Sequence, residues 1–148
     1  MDAHKAVSQR GDQEPRARRV FSVAMAQRAL PLVRRVVVDV VRHYHMLLEI
    51  QKEYQVLVRR GPSEELEQLR DRRQEIADRL TELTEEIETI GCELKDYDTG
   101  LIDFPAVFDG RLVYLCWKLG EPDIAHWHEV TDGYAGRQPL APMLARFA

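Results

Sequence analysis

The sequence predicts an α+β protein, in which a long antiparallel helical hairpin with coiled-coil character is followed by a small antiparallel β meander packed on it. Three observations predict this. Apolar residues recur at three-four spacing over residues 31–60 and in near-strict heptads over 64–90. Gly61-Pro62 separates the two runs with a connection short enough to make the helices antiparallel neighbours. After Gly91 the pattern changes to short β-branched and aromatic runs divided by glycine-containing turns.

Residues 1–18 carry no periodicity and read as a disordered tail, and residues 19–148 as a single domain. Within that domain the helical hairpin covers 22–91, the β-rich segment 92–140 and a short C-terminal tail 141–148. Ser22 is the expected N-cap of the first helix, with Phe21 before it placed to pack back on the first turn. Pro31 lacks a backbone donor and crowds the preceding turn, so it is expected to kink the helix or begin a new one. Beyond it Val33, Val36, Val40, Leu47, Ile50, Tyr54 and Leu57 form one apolar row. Val37, Val41, Tyr44, Leu48 and Val58 form a second beside it. A stripe that wide is more than one partner helix needs, so this helix is expected to meet the second helix and either the β segment or another copy of the chain.

Ser63, followed by Glu64 and Glu65, opens the second helix. Leu66, Leu69, Ile76, Leu80, Leu83, Ile87 and Ile90 hold its a and d positions, with Arg73 the polar exception. Glu75 and Arg79 form an i,i+4 pair, and Gly91 supplies the left-handed residue that ends the helix. Helices of this length give a hairpin roughly 40 Å long at about 1.5 Å per residue. In the β segment, strands are expected near Cys92–Leu94, Leu101–Val107, Leu112–Leu119 and Ile124–Val130, giving a meander of about three strands that needs a covering surface. Asp109-Gly110 is a hairpin turn signal, and Pro105 belongs at an edge. Residues 141–148 add a last helical turn.

Two cysteines, Cys92 and Cys116, are too few for a disulfide scaffold. With no secretory leader pattern and no apolar run long enough to span a bilayer, the expectation is a cytoplasmic protein with reduced thiols and no membrane association. The net charge of −4 argues against a general nucleic-acid binder. The charge is uneven: residues 1–35 hold eight Lys/Arg against three Asp/Glu, and residues 64–90 hold ten Asp/Glu against four Arg. The basic residues of the tail are too few for a strong counterion-release contribution.

The chemistry concentrates at His126-Trp127-His128-Glu129. On a strand His126 and His128 share one face while Trp127 and Glu129 share the other. Two imidazoles on one face can begin a site for a divalent transition metal, completed by a carboxylate or thiolate such as Asp98, Asp103, Glu121 or Cys116. The commoner role for such histidines is as half-exposed sheet residues with ordinary hydrogen bonds, because no spacing matches a known ligand motif. Arg137-Gln138, in a glycine-rich stretch, is a candidate anion-binding pair. Trp117 and Trp127 on adjacent strands fit a core under a helix better than a stacking platform for a ligand. No nucleophile elbow, phosphate loop or dinucleotide glycine pattern is present.

The run Lys95-Asp96-Tyr97-Asp98-Thr99-Gly100-Leu101-Ile102-Asp103-Phe104-Pro105 resembles a bacterial family known as domain of unknown function 2203. The similarity continues through Asp109-Gly110-Arg111, Val113 to Pro122, Trp127-His128-Glu129 and Gly136-Arg137-Gln138-Pro139. It also takes in Phe21-Ser22 and Ala29-Leu30-Pro31, and covers about residues 20–140. The resemblance implies a site built from His128, Glu129, Asp103, Arg137 and Gln138, and it sets His126 apart as a departure from the family pattern. It implies no activity.

Two functions follow as expectations. One is a non-enzymatic, homodimeric interaction or scaffold protein built on the hairpin. The other is a metal- or small-ligand-binding protein, with hydrolysis as its enzymatic version, using a polar site around His128. No motif decides between enzyme and binding protein.

Overall fold

The computed structural model describes residues 19–148. The expected disordered tail, residues 1–18, lies outside them. Helix α1 (Val23–Arg59) and helix α2 (Glu64–Ile90) form the hairpin. They lead into strands β1 (Glu93–Asp96), β2 (Leu101–Phe108), β3 (Arg111–Lys118), β4 (His126–Glu129) and β5 (Gln138–Pro139). A 3₁₀ turn at Tyr134–Gly136 precedes β5, and another at Ala141–Arg146 follows it. The sheet is a five-stranded antiparallel meander in the order β1-β2-β3-β4-β5; β1 to β4 fall in or beside the four segments expected, and β5 is the addition.

Both caps form as the residue types dictate. Ser22 Oγ accepts from Met25 N–H at 3.1 Å, and Ser63 Oγ accepts from Leu66 N–H at 3.1 Å. Gly91 closes α2 at φ 106°, a left-handed conformation that costs glycine nothing. Arg79 pairs with Glu82 one turn on rather than with Glu75.

Pro31 does not begin a new helix: α1 runs unbroken through it for 37 residues, roughly 55 Å. The physical reason lies in the packing on either side. Ala26, Leu30, Val33, Val36 and Val37 are all buried along one stripe, while Pro31 itself faces outward. Core contacts keep the helix continuous across the one missing backbone hydrogen bond.

The second apolar row of α1 is answered by the sheet over its first half. Val37 is fully buried and Tyr44 nearly so, whereas Val58 near the tip is exposed. Phe21 meets Phe104 edge to face at 5.3 Å, and the Gln27 side chain exchanges two hydrogen bonds with the Ile124 backbone. The inner face of the sheet carries Ile102, Phe104, Ala106, Phe108, Val113, Leu115, Trp117 and Trp127, all buried in one cluster with the hairpin residues. Pro105 sits on the stretch of β2 beyond the last β1 pair, Glu93 with Asp103, so no strand seeks its missing donor. Its carbonyl instead accepts from Phe21 N–H at 2.7 Å, which ties the start of the domain to the sheet.

Candidate functional site

Strand register places the polar residues. Glu93, Asp103, Cys116, His126 and Pro139 are successive cross-strand partners, one row running across all five strands. Pro105, Tyr114 and His128 form the next row on the same side. Because side chains alternate along a strand, both rows lie on the face opposite Phe104, Leu115, Trp117 and Trp127, away from the helices. This outer face is nonetheless closed. Asp103 is 3%, Cys116 0% and His128 2% exposed, and Asp103 and His128 are the buried polar side chains of the described core.

These three converge. His128 Nε2 lies 2.9 Å from Asp103 Oδ1, and His128 Nδ1 lies 2.7 Å from the Glu129 carbonyl oxygen. A carbonyl can only accept, so Nδ1 carries a proton and donates it. Nε2 and Oδ1 would then be two facing acceptors unless a second proton lies between them, so the pair shares one. Asp103 Oδ1 or Oδ2, Cys116 Sγ and a His128 ring nitrogen lie within 4.8 Å of one another. Burial raises the Asp103 carboxyl above its ordinary range, against the opposing pull of His128. Burial and the charge of Asp103 push the Cys116 thiol up to about 12. A protonated, covered thiol and an imidazole with both nitrogens engaged are by themselves a poor nucleophile and a poor base for an outside substrate.

A second constellation borders the first. The Arg137 guanidinium grips Glu121 through two hydrogen bonds of 2.8 Å, and its Nη1 lies 4.0 Å from Cys116 Sγ. Glu121 also accepts from Lys118 N–H at 2.7 Å. Burial opposes ionisation of Glu121, yet the Arg137 and Lys118 donors win and hold its carboxyl below the usual range. Arg137 therefore clamps the β3–β4 turn to the segment before β5, with its own charge already paired. His126 stands beside this clamp, Nδ1 buried without a hydrogen bond and 3.6 Å from Glu121 Oε2.

The remaining sequence candidates go elsewhere. Glu129 points to the inner side and pairs with Arg111 at the sheet margin. Asp98 lies at the β1–β2 turn and accepts from His45 of α1 at 2.6 Å. Gln138 is exposed, opposite Trp127 on β5. Thus Asp103, Cys116 and His128 are brought together, His126, Glu121 and Arg137 flank them, and Glu129, Asp98 and Gln138 do not join.

The family model for an uncharacterized conserved protein, DUF2203, matches residues 19–140. The chain belongs to the DUF2203 family. No curated protein and no solved structure matches it. In this DUF2203 chain, sequence reasoning passed over Glu93, Lys95 and Tyr114, which line the same outer face. Glu93 is the register partner of Asp103, and Lys95 lies 5.6 Å above the Tyr114 ring. Alternation along β1 and β3 carried that signal, but only the pairing register converts it into neighbours.

The hairpin of this DUF2203 protein also holds a groove that the heptads did not reveal. It measures about 870 Å³ and is floored by Met46, Ile50, Leu57 and Leu69. Its edges carry Arg42, His45, Glu49 and Glu53 from α1, and Glu65 and Arg72 from α2.

Proposed function

We propose that this protein works by association rather than catalysis, as a homodimer whose hairpin groove receives the hairpin of a second copy. The observation that carries this is the groove itself, an apolar floor between charged edges on a helix pair that extends past the sheet. Such grooves accept an amphipathic helix. The edges carry both signs: Arg42 and His45 at one end, Glu49, Glu53 and Arg72 along the middle, and Glu65 near the tip. A two-fold axis across the groove would set Arg42 of each copy toward Glu53 of the other, the reciprocal pairing that an isologous dimer requires. Exposed Val56 and Val58 on the distal part of α1 add apolar area at the same end of the hairpin.

No helix among the described residues is long and apolar enough to cross a membrane. The free thiols of Cys92 and Cys116 support a reducing, cytoplasmic setting.

Sedimentation equilibrium of the full chain at micromolar concentration tests the dimer. A dimer is expected, and Arg42→Glu should weaken it roughly tenfold, since each substitution alters two symmetric contacts. Adding Glu53→Arg to that variant should restore association. Both positions are exposed, so folding is not at stake. A monomer at all accessible concentrations, or variants that associate like the parent chain, would rule the reading out.

A further inference from the structure

We propose that Asp103, Cys116 and His128 form a binding site for one divalent transition metal ion of the zinc class, set within the outer face of the sheet. The donors come from three adjacent strands. Asp103 and Cys116 are direct register partners on β2 and β3, and His128 reaches diagonally from β4 to Asp103 at 2.9 Å. One oxygen, one sulfur and one ring nitrogen already lie within 4.8 Å of one another. Metal–ligand bonds of about 2.0–2.3 Å in a tetrahedron separate ligand atoms by roughly 3.3–3.8 Å, so the three need only small adjustments to close on an ion.

The donor chemistry selects the ion. A thiolate with an imidazole suits zinc, cobalt and their neighbours, and disfavours magnesium and calcium, which prefer oxygen donors alone. The imidazole is oriented as a ligand needs. Its Nδ1–H is held at 2.7 Å by the Glu129 carbonyl, which fixes the ring and directs Nε2 at the site.

The exchange balances. The proton shared between His128 Nε2 and Asp103 Oδ1 leaves, and so does the thiol proton of Cys116, as the metal–nitrogen, metal–oxygen and metal–sulfur bonds form. A neutral buried cluster becomes one carboxylate, one thiolate and one doubly charged cation, again neutral. Burial of net charge is thereby avoided, and a divalent ion meets that condition where a monovalent or trivalent one does not. The two neighbouring cations are each offset by a carboxylate. Arg137 beside the thiol is held by both oxygens of Glu121, and Lys95 on β1 has Glu93 at 3.8 Å. Three protein ligands leave the fourth position to water or another small ligand, because His126 falls outside the group.

The site does not depend on the dimer proposed above, and the test separates them. The full chain, stripped with a chelator, is titrated with Co²⁺ and separately with Zn²⁺, with metal content, absorbance and proton release followed. The expected result is one ion per chain, two protons released per ion, and a thiolate-to-cobalt charge-transfer band. Cys92→Ser should retain the band, because Cys92 is buried apart with its Sγ toward the Ile87 carbonyl. Cys116→Ser should lose it and weaken binding roughly a hundredfold or more. If Cys116→Ser fails to fold, the band in the Cys92→Ser protein still assigns the sulfur, since one thiol remains. No uptake by the folded chain, uptake without the charge-transfer band, or a band that vanishes in Cys92→Ser would each overturn the proposal.

Discussion

A proton between His128 and Asp103 is fixed by a neighbour that cannot donate, the Glu129 carbonyl 2.7 Å from Nδ1. At this scale Asp103 and His128 are buried polar side chains that satisfy each other because water does not reach them. Glu121 is the one whose ionisation couples most directly to folding. Its folded carboxyl is held below the unfolded value of about 4.3 by Arg137 and Lys118. A depressed carboxylate contributes stability that is present above the unfolded value and lost as pH falls through the folded one. Stability of the parent chain relative to Glu121→Gln should therefore be greatest at neutral pH and shrink on acidification below about pH 4 to 5. Urea unfolding of both proteins across that range checks it, and a gap that stays constant with pH would refute the role given to Arg137. Which residues could take part was legible in the sequence: Asp103, Cys116, His126, His128 and Arg137 all stood out by type. Which of them meet was not, because Asp103 and His128 are 25 residues apart and their contact is a matter of register.

Among the elements, α1 departs most from local expectation. Proline inside a helix costs about 3 kcal/mol relative to alanine in isolation. The buried stripe on either side of Pro31 outweighs that local preference, as tertiary packing commonly does. At the β1–β2 turn, backbone conformation and packing both require a glycine. Gly100 lies at φ 74° and is buried against α1, where an added Cβ would sit 2.7 Å from Val37 Cγ1 and 2.9 Å from Leu119 Cβ. A methyl there meets both backbone strain and an overfilled contact. Gly100→Ala should destabilise the protein by about 2–5 kcal/mol, from roughly 1–2 for the left-handed backbone and 1–3 for overpacking. Thermal or urea unfolding measures this, and a loss under about 1 kcal/mol would mean that the sheet shifts on α1 at little cost. The strand count was the less legible part. β5 is two residues long and its neighbours are turn-formers, so neither alternation nor propensity marks it, and only pairing with His126 and Trp127 defines it.

For the whole molecule, α1 belongs to both layers. Its buried residues share one apolar cluster with α2 and with the inner face of the sheet. The hairpin and the sheet are therefore expected to unfold together. Helix content by circular dichroism reports the hairpin, while the fluorescence of Trp117 and Trp127, both on the sheet's inner face, reports the meander. At low protein concentration the two signals should give coincident urea transitions. Separate midpoints would show that the sheet is a satellite of the hairpin rather than part of its core.

The sequence by itself determined the hairpin, its caps, the change to strands after Gly91 and the face shared by His126 and His128. Each is written in local periodicity or in a residue with a special backbone, so a few neighbours suffice to specify it. Tertiary structure decided that Pro31 is carried through, that the sheet covers the first half of the spare row of α1, and that a histidine, a carboxylate and a thiol from three strands close on one another. Those outcomes depend on which distant segments pack together and in what register, and no local pattern contains that information.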